Sequence, residues 1–289
     1  MKYLPAILAY IISINVFADG LPDNLMIVGY DGSAWHPYVS QKGEWEKIDY
    51  IENPASITRS AESNAFIYKA DTGDVYWANQ KEHKKLYDSS KSNDGVTQLR
   101  ADDRGAVFVK LIDGKSSDTQ LSHLDLNGQI KTFYSQASAQ FHPIMHGNEL
   151  YYAHVSCRLI CNPIIQDVWR RNIKTYRTEQ LTMLNSTTYL HGISKDGGYG
   201  VISSNHHGFY HIALLDLNKG GVTWLTSGQV TDSNPVLASD NRVYFIRRMS
   251  TGTTVHSLPL GAQSAKESDL LTHSLPHGVT KIRYMEFSY

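Results

Sequence analysis

The sequence predicts an all-β chain folded as a six-bladed β-propeller, and three observations carry that prediction. The dipeptide Leu-Thr recurs at Leu181-Thr182, Leu225-Thr226 and Leu271-Thr272, 44 and then 46 residues apart. Each pair closes a segment of four strand-like stretches joined by polar turns, and a period of about 40–50 residues with several short strands marks a propeller. Eighteen tyrosines and five tryptophans supply the aromatic load that half-buried strand positions between blades accept.

Ahead of the repeats, Lys2 gives a positive start, residues 4–17 carry no charge, and Val16-Phe17-Ala18 sets small or medium side chains where a signal peptidase reads. Residues 1–18 are therefore expected to be a cleaved signal peptide, and residues 19–289 a single propeller domain. The apolar run is shorter than the ~20 residues of a spanning helix. No cysteine stands at the cleavage site for lipid attachment, since the only two are Cys157 and Cys161. The mature chain is expected in the periplasm or secreted, without a membrane span. A net charge of −1 with interspersed signs provides no field that gathers nucleic acid.

The repeats then divide into blades. Residues 25–50 offer three strands, and complete units begin near Ala55, Val96, Phe141, Tyr189 and Ser233. The clearest unit runs 189–196, 199–204, 208–217 and 222–226, and its successor runs 233–238, 242–249, 254–260 and 269–272. The turn after each first strand recurs as Ser63-Asn64, Asp103-Arg104-Gly105, His146-Gly147-Asn148, Asp196-Gly197-Gly198 and Asp240-Asn241. Asn, Asp and Gly gather there because a tight hairpin needs positive φ. A lone last strand, 279–287, completes the three-stranded first unit as its innermost strand and so closes the ring, pairing edges that would otherwise invite aggregation. Seven blades is the alternative, because residues 80–96 fit the pattern poorly. A ring closed in this way needs no second copy, and a monomer is expected.

The order small-polar, Pro, strand, Asp-Gly turn, strand, aromatic-rich strand, Leu-Thr resembles the repeats of TolB-type periplasmic propellers. It is carried by His142-Pro143 through Leu181-Thr182, Ser194-Lys195-Asp196-Gly197 through Leu225-Thr226, and Asn234-Pro235 through Leu271-Thr272. The chain is similar to the propeller alone, without the α/β domain that precedes it in TolB. The resemblance implies a binding scaffold of the cell envelope with a protein or peptide partner and no cofactor.

Two places carry candidate chemistry. Cys157 and Cys161 lie in an expanded loop of the fourth blade, and in an oxidising compartment the expected state is a disulfide; a two-thiolate metal site or a redox pair are the alternatives. Superposing the inner strands puts His142, His191 and Asn234 at one channel mouth, with Gln98 and Thr58 aligned less securely. A ring of imidazoles and amides there suits a carboxylate ligand or a divalent metal. The metal alternative, with His142 and His191 as ligands, implies a lyase or hydrolase acting on carbohydrate, as in propeller lyases for pectin fragments whose repeats resemble those of TolB. His206, His207 and His211 read as a solvated turn, His123 and His256 as equivalent third-strand positions, and Asp102 and Asp103 as turn formers. No Gly-x-Ser-x-Gly elbow, His-Glu-x-x-His helix or phosphate-binding glycine loop occurs.

Overall fold

The computed structural model describes residues 20–60, 64–135, 138–157, 160–162, 164–261 and 269–288. The expected signal peptide and its cleavage point lie outside the described residues. Among those described, no helix is long and apolar enough to cross a membrane.

Six four-stranded antiparallel sheets form the ring. From the channel outward, blade one is Lys281–Phe287, Leu25–Tyr30, Trp35–Gln41 and Glu44–Lys47. Blade two is Ser56–Arg59, Phe66–Lys69, Val75–Ala78 and His83–Tyr87. Blade three is Gly95–Asp102, Gly105–Leu111, Thr119–Asp125 and Ile130–Ser135. Blade four is Gln140–His146, Glu149–Cys157, Ile165–Asn172 and Thr178–Gln180. Blade five is Thr188–Ile193, Tyr199–His207, Phe209–Asp216 and Val222–Trp224. Blade six is Thr231–Leu237, Arg242–Met249, Gly252–Pro259 and Leu271–His273. Residues 80–96, which suggested a seventh blade, hold the last strand of blade two and a short 3-10 turn at Ser89–Lys91.

The last strand closes the ring as expected, pairing antiparallel with Leu25–Tyr30 from Leu25↔Phe287 to Tyr30↔Lys281. It is held from the side by Ile282 and Met285, 4% and 0% exposed, in a cluster shared with Val236, Tyr244 and Ile246 of blade six. Burying each such side chain contributes about 1.5–3 kcal/mol. Five further apolar clusters fill the five other gaps between neighbouring blades. The core is thus six wedges between sheets, and the centre of the ring is left to other side chains.

The turn chemistry read from the sequence is borne out. Asn64, Gly105, Gly147, Gly197 and Asn241 all take positive φ. At Gly105 a Cβ would also lie 2.1 Å from the Leu124 carbonyl oxygen, so no other residue fits there.

The Leu-Thr repeat has a structural cause in blades four and five and a different one in blade six. Leu181 N–H donates to the Val168 carbonyl, and the Thr182 hydroxyl accepts the Val168 N–H at 2.9 Å. Leu225 and Thr226 do the same to Ile212. In blade six the equivalent residue, Val255, faces His273. Leu271 and Thr272 come two positions too early and are exposed, which corrects the expectation that all three pairs are equivalent.

Candidate functional site at the channel mouth

Inner strands begin on one face of the ring, here called leading, and end on the trailing face. Five of the six inner strands lose ladder register: at Arg283, at Gln98 and Leu99, at His142 and Pro143, at His191, and at Asn234 and Pro235. A bulge re-aims a side chain out of the pleat. Arg283, Gln98, His142, His191 and Asn234 all line one cavity of about 240 Å³ at the leading mouth. Gln98, His142 and Asn234 share φ values of 53°, 51° and 51°, a left-handed conformation that residues other than glycine adopt at a cost and that gathers at ligand sites.

The structure brings the three expected residues to one place, with a correction in register. His142 and Asn234 are equivalent, whereas Leu190 holds the matching position in blade five and His191 follows it by one. The imidazoles of His142 and His191 still meet edge-on, 5.6 Å between ring centres, and Tyr189 lies 4.6 Å from His142. His191 is buried and shares a 2.8 Å hydrogen bond with the Ser203 hydroxyl. His142 N–H donates to Gln98 Oε1 at 2.7 Å. Among the described residues, the Asn234 amide and both ring nitrogens of His142 have no hydrogen-bond partner. Desolvation, with the Arg100 charge next, holds His142 down to about 3. Burial, then His142 and Arg100, holds His191 well below the usual histidine range.

Below the mouth the channel is plugged by Thr58, which the sequence reading placed at the mouth, and by Arg100, Tyr284 and Glu286, which it missed. Arg100 lies 3.7 Å from Glu286 Oε2 and donates to the His191 carbonyl at 3.1 Å. Thr58 donates to Glu286 Oε1 at 2.6 Å and accepts the Ala101 N–H at 2.8 Å. Tyr284 donates to Glu286 Oε2 at 2.9 Å, and its ring lies 5.2 Å from the Arg100 guanidinium. Burial raises the Glu286 carboxyl against the opposing pull of Arg100. Thr58 is thus part of the plug and does not line the mouth. Beyond it, a cup of about 510 Å³ opens on the trailing face, lined by Arg59, Asp102 and His146 among others.

Asp102 is more than a turn former, since its Oδ1 lies 2.9 Å from His123 Nε2. His123 faces Val107 on the neighbouring strand and His256 faces Phe245. Those positions differ by one in blade register, so the two histidines are not equivalent. His206 and His207 pack on Trp224, at 5.9 and 4.7 Å. Cys157 and Cys161 form the expected disulfide, with Cα atoms 5.9 Å apart.

The donor set of the mouth does not suit a divalent metal. Two imidazoles face it, no carboxylate lines it, and Arg100 and Arg283 add positive charge, whereas hard cations take oxygen anions and borderline ones take three or four N, S or O ligands. Among the described residues, no group of three or more His, Cys, Asp or Glu side chains is placed to hold a metal.

Fold and site together define a six-bladed propeller closed by its last strand, with a plugged channel and a polar leading mouth. Solved structures share that fold. A putative TolB from Agrobacterium tumefaciens is 12% identical, with TM-score 0.61 over 87% of this chain and 88% of its own. A chain of a nidogen/laminin complex is 10% identical, with TM-score 0.63 over 91% and 97%. An oligogalacturonate lyase in complex with manganese is 11% identical, with TM-score 0.56 over 88% and 78%. No family model matches the sequence, and no curated protein matches it.

Proposed function

We propose that the chain is an exported, TolB-like propeller of the cell envelope that binds a protein or peptide on its leading face and breaks no bond. The observation that carries this reading is the distribution of exposed apolar side chains. Ile160 and Ile164 in the disulfide loop, Met183, Phe209 and Met249 are 94%, 41%, 75%, 45% and 42% exposed. All five stand on leading-face connections or strand ends of three consecutive blades, four to six. Of the nine large apolar side chains exposed among the described residues, the other four, Ile130, Tyr176, Tyr199 and Leu271, stand at trailing-face turns and strand ends, and two of those are tyrosines with a polar tip. The leading face holds the two most exposed of the nine, Ile160 and Met183, and exposed apolar groups of this kind support an interaction surface there. The disulfide supports an oxidising compartment, and one of the similar chains comes from a protein complex.

Photocrosslinking in envelope preparations tests the reading. A crosslinker placed at Ile160, Met183 or Phe209 is expected to trap one and the same protein, while one at trailing-face Tyr176 or Tyr199 is not. Equal capture from both faces, or none from the leading face, overturns it.

A further inference from the structure

We propose that the leading mouth binds a carboxylate carrying an adjacent apolar or aromatic group. This rests on the binding reading above and names the chemistry of the ligand. Among the described residues, Arg100 and Arg283 are the only charged side chains lining the mouth. Arg100 is already opposed by Glu286 on its far side, and the Asp71 carboxylate acts on Arg283 from outside the mouth, so the surplus positive charge facing the mouth is at most about one and is matched by a monoanion. A dianionic phosphate would leave excess negative charge in a desolvated place, which is costly.

The remaining groups are donors or neutral. Gln98 spends its Oε1 on the His142 N–H, and its Nε2 has no partner among the described residues. The Asn234 amide is likewise unpartnered there, and His142 stays uncharged at neutral pH. Arg283 sits over the Trp35 ring at 4.6 Å and donates to the Pro54 carbonyl, which fixes its planar fork for a carboxylate.

A second cavity, of about 270 Å³, shares Gln98 and His142 with the mouth. Phe141, Val155, Ile164 and Tyr189 make its apolar walls, and it has no charged lining residue. The two cavities adjoin at Gln98 and His142, and we place the ligand's carboxylate on Arg283 in the first and its apolar group in the second. A free small acid and the C-terminus of a peptide ending in an apolar residue present this same chemistry.

Calorimetric titration of the purified protein decides the matter, using N-acetylphenylalanine, its amide, N-acetylglycine, and a short phenylalanine-terminated peptide with free or amidated C-terminus. The acid is expected to bind, with the amide about ten- to a hundredfold weaker, the value of a charge-assisted bond. N-acetylglycine is expected to be weaker by a similar factor through loss of the buried ring. Arg283→Met, at a partly solvent-exposed side chain, is expected to weaken the acid and leave the amide unchanged. Equal binding of acid and amide, or no heat from the acid at millimolar concentration, overturns the proposal. Tighter binding of the free-ended peptide than of the acyl amino acid assigns the occupant to a protein C-terminus, and equal binding assigns it to a small acid. The crosslinking above reads the apolar face independently, so failure of the titration alone removes this inference and leaves the binding reading standing.

Discussion

Three threonines that look identical in the repeat should behave differently when replaced by valine. Thr226→Val preserves shape but removes the acceptor of the Ile212 N–H, a 2.9 Å bond at a fully buried position. A buried donor left unpaired costs about 1–3 kcal/mol. Thr182→Val removes the same acceptor from Val168 and also the 2.9 Å hydrogen bond that Thr182 donates to Asp167 Oδ1. Asp167 keeps the Leu184 N–H at 3.2 Å, so the expected total is about 2–4 kcal/mol. Thr272 is exposed, and among the described residues its hydroxyl bonds to His256 alone, at 3.2 Å; its replacement belongs with ordinary surface changes, within about 0.5 kcal/mol. Urea unfolding followed by tryptophan fluorescence and far-ultraviolet dichroism gives the three values. Thr272→Val as costly as Thr226→Val would refute the claim that blade six is out of phase. A neutral Thr226→Val would refute the hydrogen-bond account of the repeat.

Three other outcomes are expected. Asp232→Ala removes the carboxylate that holds the buried Arg247 through two bonds of 2.7 and 2.9 Å, and should lower stability in denaturant titration by about 3 kcal/mol. Thiol titration of the native protein should find no reactive thiol, and Cys157→Ser with Cys161→Ser should cost up to about 2 kcal/mol, the closure entropy of so short a loop. His142 is held down to about 3 from the ordinary histidine value of 6.5, so the unfolded chain takes up the proton first and stability is lost as pH falls below 6.5. His142→Asn should remove that loss, at most about 1.4 kcal/mol per pH unit, and the gap in melting temperature between variant and parent should widen in favour of the variant from pH 6.5 to 4.

The scaffold was legible because its causes repeat. Turn residues needing positive φ return in each blade, and an orphan last strand had one place to go. The site was legible only where it follows the repeat. His142-Pro143 and Asn234-Pro235 share a bulge in which proline, lacking an N–H, does no harm to the ladder. Blade five has Leu190-His191 in place of such a pair, and there Leu190 keeps its ladder partner and His191 alone leaves the register, which the motif concealed. Arg100 and Glu286 were invisible for a different reason. Each occurs once, at a position where the other blades place Ile144, Gly192 or Val236, and a repeat describes what blades have in common. Leu271-Thr272 failed in the opposite way, matching in letters while its strand had shifted by two positions.

Closure of the ring and chemistry of the channel are carried by one strand. Ile282 and Met285 of Lys281–Phe287 bury against blade six and fasten the ends of the chain. Between and beyond them, Arg283, Tyr284 and Glu286 supply the mouth cation and two of the four plug residues. The bulge at Arg283 makes this double use possible, because strict alternation would send Arg283 and Met285 to one side and Ile282, Tyr284 and Glu286 to the other. With the register shift between Val28 and Gly29, Ile282 and Met285 both reach the interface. A propeller closed by a strand from its opposite end thus acquires a channel that is complete only when the ring is, and no partly closed ring presents Arg283 opposite Gln98, His142 and Asn234.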